Sequence, residues 1–573
     1  MTATPHLTPA RIARSLLRSG ALPAIVSLVA VSLLVCAAPG LAAQTLPRTV
    51  AERSDFRATA STAEVGAFLD SLQLAGAPVA VSEMGTTALG KPIYLVIASD
   101  PAVTSAAEAA ASGKLVVYLQ ANIHAGEVEG KEAVLALLRE LAGPRRDLLQ
   151  RLVILVAPNY NPDGNDAFAP AAVNRSGQNG PDLVGRRADG LNLDLNRDYF
   201  LAEAPETRAS LARVYTTWDP ALMMDLHTTD GTRHGYLLTY APPLDPNAPA
   251  GLASYLRDRM LPAIRRTLQD RYHEPIFDYG DVDDALDPRS WDTYAPLGWY
   301  GVNYVGLRGR MAILSEAYSH ADFRTRVQVT HDFVAEVLTY AAAHADEIRR
   351  SEREADRQTT LEGAGLAPRP NLAVTYRMAS RGVEPVMLEV MQPGTDSVRG
   401  RPRLTPTGEF RTVRIPINDR FVDSLTQPLP AGYFLPPAAA DVAARLRLHG
   451  IQVQRLTAPW TDSLETLGSP QLSWAARQYQ GHQQLAVTGT WTRTQRTVPA
   501  GSFFVPTAQP LGRLVFALLQ PEGWGFARWG AFDRLLGSGF GGYPLWMEGA
   551  GPEREFPTAR ALRAPLGPMR ALP

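Results

Sequence analysis

Leu119-Gln-Ala-Asn-Ile-His-Ala-Gly-Glu-Val-Glu-Gly-Lys131 is the stretch on which the reading of this chain turns. It follows a short apolar run over 114–119 and leads into an amphipathic stretch over 129–141, so His124 and Glu127 stand on a loop between a predicted strand and a predicted helix. Open α/β sheets place their active sites at this carboxyl end of the strands. An imidazole and a carboxylate three residues apart on one loop can converge on a single divalent ion, and mixed nitrogen and oxygen ligands suit Zn²⁺. A second H-x-x-D pair, His227 to Asp230, occurs further along. The first pair therefore takes its meaning from what accompanies it.

Outward from this loop, apolar runs with strand character at 79–84, 92–98, 115–119, 152–157, 221–226, 236–240 and 311–315 alternate with helical patterns at 63–74, 131–141, 205–217, 253–268 and 323–349. That alternation is the mark of an α/β layer fold. The charged segment 351–370 breaks it and reads as a linker. Beyond it, short alternating strands at 372–376, 386–390 and 410–415 with dense Pro and Gly predict a β-rich accessory region over 371–573, with one helix at 438–449.

Three further clusters support the first. Asp225-Leu-His227 follows the apolar run 221–224, so a second imidazole emerges at a strand end. With His124 and Glu127 it completes three protein ligands and leaves a fourth position for water, as catalytic zinc requires. Asp225 is placed to orient an imidazole instead, and His234 is the rival ligand, although it precedes its strand. Glu316 ends the run Met311-Ala-Ile-Leu-Ser-Glu316. A carboxylate in that position either forms an ion pair, here with Arg308 or Arg310, or serves as a general base tuned upward by a partly dry site. Asn196-Arg197 follows the polar stretch 174–190 and the turn-rich Pro158-Asn-Tyr-Asn-Pro-Asp-Gly164, on the same edge of the sheet. The planar Arg fork binds a carboxylate through two hydrogen bonds, to which a neighbouring Asn adds a third.

His124-Ala-Gly-Glu127, Asn161-Pro-Asp-Gly164, Asp194-Leu-Asn-Arg-Asp198, Asp225-Leu-His227 and Glu316 stand in an order that resembles the zinc carboxypeptidases of the carboxypeptidase A type, over residues 50–350. The resemblance implies a central mixed sheet of eight strands flanked by helices and followed here by the β-rich region. It implies one Zn²⁺ per chain held by His124, Glu127 and His227, with Glu316 as general base and acid. Asn196 and Arg197 correspond to the grip on the substrate's terminal carboxylate. An arginine that polarises the scissile carbonyl corresponds to Arg187 or its neighbour Arg186, and a substrate-capping tyrosine to Tyr304, Tyr300 or Tyr294; we take Arg187 and Tyr304 as the expectation.

The chain's 573 residues, 45% hydrophobic, suffice for two to four domains, and a net charge of −1 gives no pull toward nucleic acid. Arg11, Arg14 and Arg18 precede the apolar run 21–36, and small residues follow up to Ala43, a pattern that predicts a signal peptide over 1–43 and an exported, periplasmic or extracellular enzyme with no membrane span after cleavage. Cys36 is the only cysteine, so the mature chain has none and a thiol mechanism is excluded; there is also no G-x-S-x-G serine elbow. The expected reaction is hydrolysis of C-terminal peptide bonds in substrates with a free carboxylate. A zinc amidase or deacylase on the same scaffold, acting on peptidoglycan peptides or acylated amino acids, and a non-catalytic binding homologue are the alternatives.

Overall fold

In the computed structural model, which describes residues 46–229, 231–395, 402–536, 555–565 and 569–572, helix α1 (Thr62–Leu74) leads into strands β1 (Val79–Thr86), β2 (Pro92–Ala98) and β3 (Leu115–Ala121). The chain continues through α2 (Glu129–Glu140), β4 (Leu152–Ala157), β5 (Leu222–Thr228), β6 (Leu238–Ala241), β7 (Ile276–Asp278), α3 (Gly301–Leu307) and β8 (Met311–Ala317) to α4 (Phe323–Ala343) and α5 (Ala345–Ala364). The expected signal segment 1–43, with Cys36, lies outside the described residues.

Strands β3, β4, β5 and β8 read as nearly continuous apolar runs because both faces of their sheet are covered. Alternate side chains feed two cores. Val117, Leu119, Ile154, Met224 and Ile313 pack with α1, α2 and α4 on one face, while Tyr118, Val153, Leu155, Met223 and Ala312 pack with α3 and with Leu446, Phe516 and Trp529 of the C-terminal region on the other. Fully burying each such aliphatic side chain contributes about 1.5–3 kcal/mol. The strand order is β1-β2-β4-β3-β5-β8-β6-β7, with antiparallel pairing at β1–β2, β2–β4 and β8–β6 and parallel pairing elsewhere. This is the mixed eight-stranded α/β sheet that the motifs implied. Strand β3 lies between β4 and β5, so the chain leaves it toward one side and returns on the other. The ligand loops sit at this switch point.

Two expectations change. The segment read as a linker is helical, because α5 runs to Ala364 and buries Ala345, Ile348 and Ala355. Its charges have partners: Glu352 and Asp356 lie 3.0 and 2.8 Å from the buried Arg310. The region after it is β-rich as expected, with the long hairpins Val383–Thr395/Pro402–Asn418 and Trp460–Tyr479/His482–Val498, but it shares a hydrophobic core with the eight-stranded sheet. Among the described residues no helix is long and apolar enough to cross a membrane.

Candidate active site

The chain leaves β3 through Asn122, whose φ of 64° is a left-handed conformation that Asn tolerates. Its Nδ2 donates to Asn159 Oδ1 (2.8 Å) and Asn165 Oδ1 (2.9 Å). Asn161 accepts from Gly164 N and, through Nδ2, donates to the carbonyls of Ile123 (3.2 Å) and Arg187 (3.3 Å). The Asn161-Pro-Asp-Gly164 segment thus ties the histidine loop to the arginine loop. Gly126 is needed where these loops meet, since a Cβ there would stand 2.6 Å from Arg175 Cγ and 2.8 Å from the Gly185 carbonyl oxygen.

His124, Glu127 and His227 are all buried and turn one ligand atom each toward a common point, within 4.8 Å of one another. The two Nδ1 atoms are 3.1 Å apart, Glu127 Oε1 is 3.1 Å from His124 Nδ1, and Oε2 is 3.0 Å from His227 Nδ1. On the far sides of the rings, His124 Nε2 bonds Asp194 Oδ1 at 3.0 Å and His227 Nε2 lies 3.0 Å from Asp225 Oδ2. Those carboxylates back the two rings, and both Nδ1 atoms face the Glu127 carboxylate. Two imidazole nitrogens and a carboxylate oxygen converging on one point form a donor set that fits a divalent metal. Burial opposes charge on Glu127, but His124 and Arg175 outweigh it and hold the carboxyl well below the usual range. Burial likewise opposes charge on His227, yet Asp225 and Glu127 push that imidazole well above its ordinary value. Positive charge is favoured at the point where the ligands meet.

Glu316 faces this group from β8, where it is the register partner of His227, and both line the same cavity. The two arginines considered as its ion-pair partners are engaged elsewhere. Arg308 donates to Tyr304 Oη and to the carbonyls of His449 and Tyr215, and Arg310 pairs with Asp219, Glu352 and Asp356. Arg187, Asn196 and Arg197 line the cavity as well. Asn196 Oδ1 accepts from Gly301 N (2.8 Å), which commits the oxygen and leaves its amide NH₂ to donate. The Arg197 guanidinium carbon lies 4.4 Å over the Tyr300 ring centroid.

The structure does not bring every anticipated residue to the cavity. Tyr304 is fully buried in α3 and its hydroxyl meets His449 Nδ1 at 2.8 Å, so it belongs to the core, whereas Tyr294 and Tyr300 line the cavity. Arg186 turns away to the Asp189 carbonyl (2.7 Å). His234 is packed against Tyr318 and Trp291, with burial pushing its imidazole down to about 3, and it is no part of the ligand group. Two contributors carried no signal of their own in the sequence. Arg175 Nη1 stands 3.0 Å from Glu127 Oε1. Asp194 bridges His124 to Arg187, whose Nε donates to its Oδ2 at 2.9 Å; its place in the Asp194-Leu-Asn-Arg-Asp198 motif was the only hint.

Two imidazoles, a carboxylate and a facing glutamate over the strand ends of a mixed α/β sheet define a metallohydrolase site. Residues 65–232 match the family model for zinc carboxypeptidase. The matched span includes all three ligand residues, Arg187, Asn196 and Arg197, and ends before Glu316. Among curated proteins, the chain is 25% identical over 443 residues to a probable carboxypeptidase 2 of Arthroderma benhamiae, covering 73% of this chain and 76% of that one. It is also 25% identical over 445 residues to carboxypeptidase 2 of Trichophyton rubrum, covering 74% of each. A crystal structure of a metallo-carboxypeptidase from Burkholderia cenocepacia aligns with 18% identity and a TM-score of 0.37 over 49% of this chain and 69% of its own.

Proposed function

We propose that the protein is an exported, zinc-dependent carboxypeptidase that removes residues from the free C-terminus of peptides, with one Zn²⁺ held by His124, Glu127 and His227. The observation that carries this reading is one cavity lined by the converging His124, Glu127 and His227 and by Glu316, together with Asn196 and Arg197. When bound, the metal supplies the Lewis acidity that makes water a nucleophile near neutral pH and polarises the scissile carbonyl. Glu316 accepts the proton from the attacking water and returns it to the leaving amine. Arg187, oriented by Asp194, donates to the oxygen on which negative charge develops. Asn196 and Arg197 hold the terminal carboxylate and so set which peptide bond lies over the metal. Export rests on the signal pattern of residues 1–43.

The test is a mass-spectrometric digest of one peptide in free and C-terminally amidated forms by the zinc-loaded protein. Stepwise loss from the free C-terminus, with the amidated form largely spared, is expected. Equal cleavage of both would replace the carboxypeptidase reading with that of a general amidase.

A further inference from the structure

The arginine assigned to the substrate carboxylate is held in part by a residue 282 positions away in the chain. The long hairpin Trp460–Tyr479/His482–Val498 closes through Gln480 and Gly481, whose φ values of 50° and 78° are both left-handed. Two left-handed residues in succession make a tight hairpin turn, and the glycine supplies the second without steric cost. The tip lies against the segment that carries Asn196 and Arg197. Tyr479 Oη accepts from Arg197 Nε at 2.9 Å, Gln480 Oε1 accepts from Asp194 N at 2.9 Å, and His482 Nε2 lies 2.8 Å from Glu203 Oε2. Trp529 packs against both Tyr479 and His482 (5.9 Å each) and, on its other side, against Trp299 (4.9 Å), which meets Tyr300 at 6.1 Å. Tyr300 is the ring beneath Arg197.

The guanidinium is therefore fixed by one face on Tyr300, by its Nε edge on Tyr479, and by Nη1, which donates to the Asn196 carbonyl (2.9 Å). Its Nη2 has no protein hydrogen bond among the described residues. An Arg side chain has several rotatable bonds, and a carboxylate read by a planar fork demands that the fork be held in one plane. The hydroxyl at Nε supplies that constraint at the one edge that a terminal carboxylate gripped by the Nη atoms leaves unused. Tyr479 itself is 39% exposed, so its side chain is held by these contacts and not by burial.

We propose that Tyr479 is a positioning residue of the substrate-carboxylate site, through which the C-terminal region sets the orientation of Arg197. This rests on the reading of Arg197 as the carboxylate grip. The experiment uses the full-length zinc-loaded protein, Tyr479→Phe, Arg197→Ala and the double variant, with one peptide in free and C-terminally amidated forms. Tyr479→Phe removes one oxygen and keeps the ring on Trp529. The expected result is a loss of about ten-fold in the free-over-amidated preference, with the effect in KM for the free peptide and kcat within about two-fold, as for the loss of a hydrogen bond to a charged group. In the Arg197→Ala background the same change should add nothing. A loss shared equally by both peptides, no loss, or full additivity with Arg197→Ala would each overturn the proposal while leaving the carboxypeptidase reading intact. A wild-type enzyme indifferent to amidation would overturn both.

Discussion

Glu316 stands directly across from His227 in the parallel pairing of β8 with β5, so a carboxylate and a candidate ligand imidazole share one rung of the sheet at its carboxyl end. Backbone hydrogen bonding on both sides of β8 fixes that rung, through β5 and through the antiparallel β6. The separation between Glu316 and His227 is thus set by sheet geometry and not by a loop. Glu316→Gln should lower turnover by about 10²-fold or more while metal content, measured by elemental analysis, stays at the wild-type level. Turnover close to wild type would remove Glu316 from proton transfer.

Metal retention should depend on residues behind the ligands as well as on the ligands themselves. His227→Ala deletes one of three ligand atoms and should leave the purified protein nearly free of zinc. Asp194→Asn and Asp225→Asn keep shape but remove the negative charge behind each ring, so zinc affinity in a chelator competition should fall by about 10–100-fold. Unchanged affinity in both Asp variants would mean that the rings are oriented by the backbone that carries them and not by these carboxylates.

The parts of this molecule legible in sequence are those where local pattern and tertiary role coincide. Leu152–Ala157 is apolar at every position because the strand is buried on both faces, and His124 and Glu127 announce themselves by standing on one short loop after such a strand. Three residues were too few for β7 to be recognised. The charged face of α5 resembled a linker because its partner, Arg310, is remote in sequence. The choice among Tyr294, Tyr300 and Tyr304 was undecidable for a similar reason: Tyr304 is claimed by His449, 145 positions away, and no local feature of α3 reveals that. Arg175 and the hairpin tip reach the site from segments without a motif, by contacts that only the folded chain creates.

The same His449 gives a stability prediction. Its Nε2 donates to the Phe200 carbonyl (3.1 Å) and its Nδ1 accepts from Tyr304 Oη, an arrangement that requires the neutral ring. Burial, with Arg308 nearby, pushes the imidazole down to about 3, against about 6.5 for an unfolded chain. Between these values the unfolded chain binds the additional proton. The contribution is therefore complete above about pH 6.5 and is lost as pH falls toward 3, at up to about 1.4 kcal/mol per pH unit. His449→Gln should be less stable at neutral pH but show a shallower decline in denaturant unfolding between about pH 6 and pH 4. Parallel slopes for the two proteins would show that this imidazole does not titrate on unfolding.

The remaining lining of the cavity bears on which terminal residue is removed. Tyr279, Tyr294, Tyr300, Val302 and Leu314 belong to it, and the carboxylates among the cavity's lining residues are Glu127 and Glu316, which the proposed mechanism assigns to metal and proton. A Lys or Arg side chain entering there would lose hydration without gaining a dedicated counter-charge, and an acidic one would approach those two carboxylates. An aromatic or branched aliphatic side chain meets rings and methyl groups instead, and each buried methylene is worth about 0.8 kcal/mol. Peptides ending in Phe, Tyr or Leu should therefore be cleaved with kcat/KM at least about ten-fold above otherwise identical peptides ending in Lys, Arg or Glu. The measurement is a competition digest in which all six peptides share one tube and are followed by mass. Faster loss of the basic residues would mean that Glu127 or Glu316 faces the substrate side chain, and the assignment of Glu316 as base would have to be re-argued from that result.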